Sequence, residues 1–300
     1  VSAATGPQVS VRIDGGQIIG SAVGDTHIGQ LTIHQSLPLE KKLATLREWV
    51  LQHSEFLEVR GQYVAARGKF IEESPATVDL DEEIQTFLAQ DKRVLLLLGD
   101  SGTGKSTYAR FLEYSLWSTW KEGAPIPLLL SLPRFKDQLD HLIEHHLQAM
   151  GFTLEDIHRL CSSQRLLLIL DGYDELNQRS NLYGRCNLAR YRAKVIITCR
   201  TQYLHLLPGN HEECFAPIRA DLPDLARLQK FYVASFDPSQ VDDYLRKYVA
   251  HEEGPWGFDD FKRHIEIIPG LAHLLQNPFV LRMLVSVLPQ HVAKYAVRRD

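Results

Sequence analysis

The sequence predicts an α/β fold: a parallel sheet with helices on both faces, preceded by a short β-rich and helical segment and followed by a small helical lid module. Three observations predict it. Apolar runs that read as buried strands recur at Val94–Leu98, Pro125–Leu132, Leu166–Leu170 and Lys194–Cys199. Amphipathic stretches with apolar residues at three- and four-residue steps separate them. The first of these runs leads into Gly99–Ser106, GDSGTGKS, which fits G-x-x-x-x-G-K-[ST]. Strand–helix alternation over 93–236 places a ligand at the C-terminal ends of the strands.

Bulk properties narrow the class. The chain has 300 residues, enough for one large domain or two small ones. With 44% hydrophobic and 23% charged residues it reads as an ordinary soluble globular chain. A net charge of -4 gives no global basic signal for nucleic acid. The four cysteines, Cys161, Cys186, Cys199 and Cys214, show no CxxC or Cys/His metal spacing. Cys199 sits in an apolar run and reads as a small buried residue. A reducing, cytoplasmic compartment is expected. No apolar run approaches the about 18 residues of a membrane-spanning helix. The sequence starts at Val1 without Met or signal peptide and stops amid helical sequence at Asp300, as a piece of a longer protein does.

In chain order, residues 1–35 read as a β-rich or flexible leader in which Val9, Val11 and Ile13 alternate, then Leu31 and Ile33. Residues 36–77 read as a helix and a linker. The helix, 36–58, carries Leu39, Leu43, Leu46, Trp49, Val50 and Phe56, a stripe that serves either the core or a partner. Ser36 is its candidate cap and Pro38 falls in its first turn. Residues 78–237 form the nucleotide-binding core. Asp79–Gln90 is an acidic-start helix with Leu80, Ile84, Phe87 and Leu88 on one side, and Lys105–Lys121 a helix striped by Tyr108, Phe111, Leu112, Leu116 and Trp120. Asp137–Met150 and Thr153–Cys161 are helices; His141, His145 and His146 form a solvated face, because no HExxH pattern surrounds them. Lys230–Phe236 is a last strand. Residues 238–300 form the helical lid, in which Asn277-Pro278 interrupts a helix over Leu271–Leu288.

The chemistry follows from the residue types. Backbone N–H groups wrap a polyphosphate only where the loop is tight, and Gly99, Gly102 and Gly104 put no Cβ in the way. With Asp100, Ser101, Thr103 and Thr107 they make the loop that cradles the phosphates. Lys105 supplies a charge for the β- and γ-phosphates, and Ser106 a hydroxyl for Mg2+. In RLLLILDGYDEL, Asp171 lies where a strand emerges and can hold Mg2+ through water. Asp174 and Glu175 offer a base that orients attacking water. Arg200, at the tip of KVIITC, can reach a γ-phosphate. Pro278 offers either a kink or an apolar wall for an adenine ring.

LLLLGDSGTGKST, LLLILDGYDEL, VIITCR and LLQNPFVLRML, in this order, resemble the NACHT domain of STAND P-loop NTPases over about 78–290. Gly172 after Asp171, followed by two more acids, is the feature that separates such NLR-like domains from other ATPases. The flanking ARFLEYSLW and ITCRTQYL are similar to NACHT proteins that carry WD40 or pentapeptide repeats after the switch module. The resemblance implies ATP/ADP and Mg2+ as cofactors, bound by Gly104, Lys105, Ser106 and Asp171 (Walker A and Walker B). It implies Glu175, with Asp174, on the water, Arg200 as first sensor and Pro278 on adenine. It also implies a signalling switch with slow ATP hydrolysis, closed with ADP and self-associating through this domain with ATP. A winged-helix region, sensing repeats and effector would lie outside this chain. Three other readings compete: a constitutive remodelling ATPase with Arg190 or Arg192 as arginine finger, a small-molecule kinase, for which neither acceptor pocket nor basic lid is found, and a non-catalytic nucleotide-bound scaffold.

Overall fold

A computed structural model of the chain describes residues 9–13, 16–20, 37–135, 139–176, 180–205, 211–252 and 254–296. Strands β1 (Val9–Ile13) and β2 (Gly16–Gly20) pair as an antiparallel hairpin, with Val9 opposite Gly20. The expected alternation at Leu31 and Ile33 and the cap at Ser36 lie outside the described residues. Then come α1 (Leu39–His53), β3 (Arg67–Lys69), β4 (Val78–Asp79), α2 (Leu80–Ala89), β5 (Val94–Gly99), α3 (Lys105–Thr119), β6 (Ile126–Ser131), α4 (Leu142–Ala149), α5 (Leu154–Ser163) and β7 (Leu166–Asp171). After these follow α6 (Leu182–Arg185), β8 (Ala193–Arg200), α7 (Thr201–His205), β9 (Ile218–Arg219), β10 (Leu222–Pro223) and β11 (Leu228–Val233). Helices α8 (Pro238–His251), α9 (Phe258–Ile267), α10 (Leu271–Leu274) and α11 (Pro278–Ala296) complete the described chain.

The main sheet has seven strands in the order β4-β3-β11-β5-β8-β7-β6. From β11 to β6 every pairing is parallel. The β3–β4 edge departs from that pattern: β3 runs antiparallel to β11, with Lys69 opposite Tyr232, and β4 antiparallel to β3. Part of the stretch read as linker, 59–77, is therefore a sheet edge. An edge strand as short as Arg-Gly-Lys carries no alternation to read.

Burial on both faces explains the unbroken apolar runs. In β5, Val94, Leu96 and Leu98 enter one core with residues of α1, α4 and α5, while Leu95 and Leu97 enter the other with residues of α2 and α3. The α1 stripe therefore serves the core: Leu39, Leu43, Leu46 and Val50 are buried against the sheet. Pro38 occupies its N-cap position rather than the first turn. In α3 the buried residues are Lys105, Tyr108, Ala109, Leu112 and Trp117; of the expected stripe Phe111 and Leu116 are half-buried, and Trp120 falls past the helix end at Thr119. The histidines depart from a uniformly solvated face. His141 is exposed, but His145 and His146 are half-buried, and burial, with Arg134 nearby, pushes His146 down to about 4. Among the described residues no cluster of His, Cys, Asp and Glu is placed to hold a metal, and no helix is long and apolar enough to cross a membrane.

The lid builds a core of its own from Val241, Leu245, Phe261, Ile265, Leu275, Leu281 and Val285, which Val64 joins from before the sheet. The expected Leu271–Leu288 helix is two helices. Pro278 starts α11 at its first position, where its missing N–H costs nothing, and α11 runs on to Ala296.

A buried ion pair fastens α1. Lys42, with no exposed side-chain surface, donates to Asp156 Oδ2 at 2.5 Å and to the Gly151 carbonyl at 3.3 Å. Asp156 belongs to the capping box of α5, accepting from Thr153 N and Oγ1. Burial acts to raise the Asp156 pKa. The hydrogen bonds from Lys42 and Thr153 and the Lys42 charge outweigh it and hold the carboxyl below 3.8. Lys42→Ala leaves that carboxylate without its cation and should lower unfolding free energy by about 3 kcal/mol at neutral pH, read by urea unfolding. A carboxylate depressed in the folded state stabilises above its unfolded pKa. The difference between wild type and variant should therefore shrink as pH falls below 3.8 through the folded value.

Candidate nucleotide site

The loop after β5, the tips of β7 and β8, residues 59–66, α8 and the start of α11 converge on a cavity of about 290 Å3. Ser101 to Tyr108 line it from below. Gly102 has φ +82°, and a Cβ there would sit 2.5 Å from Asn277 Oδ1, so the position demands glycine on both counts. Tyr108 N donates to the Gly104 carbonyl at 2.8 Å and opens α3, whose positive end faces the cavity. Lys105 is nearly buried, and its Nζ donates to the carbonyls of Gly99 and Asp100, both at 2.8 Å. Burial lowers its pKa, opposed by the Asp174 charge and reinforced by Arg200. Gly99 and Asp100 thus serve from behind, by holding the lysine.

One corner suits a hydrated divalent cation. Ser106 Oγ donates to Asp171 Oδ1 at 3.2 Å. Thr198 Oγ1, on the adjacent strand β8, donates to the same oxygen at 2.6 Å and accepts from Gly172 N at 2.9 Å. A hydroxyl and an oriented carboxylate are the few hard oxygen donors that Mg2+ takes from protein when phosphates and water supply the rest. The buried ammonium beside free loop N–H groups suits the phosphates, so the residues present fit a magnesium nucleotide.

Gly172, at φ +88°, turns the chain off β7; a Cβ there would press on Pro133 Cδ at 3.3 Å. The turn aims Asp174 and Glu175 toward the cavity. Arg200 is the last residue of β8, opposite Gly99 in register. Its Nε pairs with Asp174 Oδ2 at 2.8 Å, and its backbone N donates to Asp174 Oδ1 at 3.0 Å. Asp174 is thereby committed to Arg200, whereas Glu175 is exposed and makes no ion pair among the described residues.

Several lining residues escaped sequence reasoning. The stretch 59–66 contributes Gln62, Tyr63, Val64 and Ala66. Helix α8 fixes it: Gln240 Nε2 donates to the Ala65 carbonyl at 2.7 Å and Lys247 Nζ to the Tyr63 carbonyl at 2.9 Å. Tyr244 Oη donates to Gln62 Oε1 at 3.2 Å. Pro278 does line the cavity, beside Phe279 and Arg282. Long-range contacts, mostly from side chains of α8, place 59–66 here, so no local pattern marks it. Arg282 did carry a signal, a cation four residues after Pro278 and hence on the same helical face.

A phosphate-cradling loop between strand and helix, with a carboxylate at the end of β7 across from its Ser106, defines a P-loop NTPase. The sequence profile of the NACHT domain matches residues 93–252, more than half of the chain. The chain belongs to the NACHT domain family. A search of curated proteins returned no match. Similar solved structures include the Aeropyrum pernix ORC1 protein in complex with DNA, at 16% identity and TM-score 0.44, over 89% of this chain and 62% of that one. A Walker-type ATPase of Pyrococcus abyssi is 13% identical, with TM-score 0.35, over 73% and 74%. The Thermotoga maritima RuvB Holliday junction branch migration motor is 15% identical, with TM-score 0.37, over 71% and 60%. The chain thus spans about 62% of the length of that ORC1 chain.

Among the cations lining the cavity, Lys105 is held by carbonyls and Arg200 by Asp174, while Arg282 is exposed and makes no ion pair among the described residues. Arg282→Ala should weaken ADP binding about fivefold at low salt and less at 0.5 M salt, because an exposed cation is screened. Titration with a fluorescent ADP at two ionic strengths checks it; equal loss at both would assign the effect to packing.

Proposed function

We propose that the chain is an ATP/ADP-operated signalling switch that hydrolyses ATP slowly and self-associates through its NACHT domain when ATP is bound. The observation that carries this reading is direct contact between lid and phosphate loop. Asn277 Nδ2 donates to the Ser101 carbonyl at 2.8 Å and Phe279 N to the Gly102 carbonyl at 3.2 Å. Floor and roof of one cavity thus hold each other, as a switch needs if the occupant is to decide the position of the lid.

The residues divide the work. Loop N–H groups and Lys105 bind the phosphates, and Thr107 and Ser106 flank them at the start of α3. Ser106 and Asp171 hold Mg2+, with Thr198 fixing the carboxylate. When bound, Mg2+ neutralises charge between the β- and γ-phosphates. Glu175 orients the attacking water and accepts its proton. Asp174 holds Arg200 at the edge of the cavity, from where its guanidinium can exchange a carboxylate for a γ-phosphate. Pro278 and Phe279 offer apolar surface to the base. Sensing repeats, an effector and a cytoplasmic setting belong to the same reading. The motor reading has less support: of its two candidate fingers, Arg190 is paired with Glu144, and Arg192 is exposed without a contact that favours that role.

Lys105→Ala should abolish nucleotide binding, and Glu175→Gln should preserve it while slowing phosphate release from ATP by about a hundredfold. Calorimetry and a phosphate-release assay measure these. Unchanged turnover in Glu175→Gln would move the base elsewhere, and wild-type affinity in Lys105→Ala would overturn the loop assignment.

A further inference from the structure

Asn277 uses both ends of its side-chain amide. Its Oδ1 accepts from Phe279 N at 3.1 Å and Val280 N at 3.3 Å, which makes it the N-cap of α11. Its Nδ2 donates across the cavity mouth to the Ser101 carbonyl at 2.8 Å. The orientation of the amide is fixed by its partners, two donors on one side and an acceptor on the other. Phe279 N shares its proton with the Gly102 carbonyl at 3.2 Å. Two successive carbonyls of the phosphate loop are therefore gripped from the lid.

The grip has a consequence for the opposite side of the same peptide. A trans peptide is planar, and its C=O and N–H point in opposite directions; no peptide among the described residues is cis. Fixing the Ser101 carbonyl toward the lid fixes the Gly102 N–H the other way. That N–H has no protein acceptor among the described residues, and Gly102 lines the cavity. A glycine peptide is the one most free to rotate, since Gly102 tolerates φ of either sign. Without a partner for its carbonyl, the loop would spend part of its time with that donor turned away.

We infer that Asn277 is a positioning residue for phosphate: through one side-chain amide, the lid sets the direction of the Gly102 N–H that a bound polyphosphate uses. The inference rests on the nucleotide reading above and adds the route by which lid and phosphate are coupled. The same route works in reverse, because coupling between two equilibria is reciprocal: phosphate on the Gly102 N–H holds the Ser101 carbonyl outward and strengthens lid docking.

Asn277→Ser tests it. Serine caps a helix about as well as asparagine, so α11 keeps its start, but its hydroxyl is too short to span to Ser101. The variant adds no charge. ADP and adenosine are titrated separately into wild type and variant, and melting temperatures are compared. The inference predicts ADP affinity lowered about three- to tenfold, the worth of one hydrogen bond, with adenosine affinity unchanged and the melting temperature within about 3 °C of wild type. Equal loss for ADP and adenosine would assign Asn277 to lid packing and overturn the inference, as would an unchanged ADP affinity. A wild-type chain that binds no ADP would overturn the nucleotide reading together with this inference. A wild type that binds ADP beside an indifferent variant overturns the inference alone.

Discussion

An ammonium taken out of water has to find acceptors, and this requirement shapes the centre of the molecule. Lys105 finds them in the carbonyls of Gly99 and Asp100, its own loop. Once those carbonyls are turned inward behind the loop, the remaining peptides must curve around open space. Everything else is placed relative to that curve. The parallel order β5-β8-β7 brings Thr198 and Asp171 to the side where Ser106 emerges. The left-handed turn at Gly172 then presents two carboxylates, of which Arg200 takes one. The cavity floor is thus built from strand tips and the loop after β5, and its roof is added from outside the parallel strands.

Those added parts lie on either side of the sheet strands in the sequence. Residues 59–66 reach the cavity before the sheet begins, and α8 and α11 reach it after the sheet is complete. Residues 59–66 are fastened to α8, where Tyr244, Lys247 and Gln240 meet Gln62, Tyr63 and Ala65, and to α3, where Tyr63 stacks on Phe111 and Arg60 donates to Tyr114 Oη. Val64 even shares the hydrophobic core of the lid. The segment therefore bridges the lid and α3, the helix that follows the phosphate loop. Helix α1 is held differently, by a buried Lys42–Asp156 pair to α5 and by its apolar stripe in the sheet's core.

Legibility tracked the range of the interactions involved. The strands with residues buried on both faces were readable because their burial leaves an apolar run. The phosphate loop was readable because its conformation restricts residue type locally, as Gly102 shows. The β3 edge was not, since a strand as short as Arg67–Lys69 carries no period, and its place is decided by a distant partner, β11. Thr198 reads as one more β-branched strand residue; only the register of β8 beside β7 turns it into the clamp of Asp171. Pro278 was visible as a break, but whether a proline kinks a helix or starts one depends on the residue before it. Here Asn277 caps, so the helix starts. The apolar stripe of α1 left core and partner equally open, because periodicity marks a buried face without naming what buries it.

The central claim is that lid and loop are closed on each other around a retained nucleotide. The most direct test is the nucleotide content of the purified chain, released by denaturation and separated by base and phosphate number. The account predicts ADP at close to one per chain. A chain that purifies empty and exchanges added ATP and ADP freely would contradict it, because the lid would then hold the loop without holding anything beneath it.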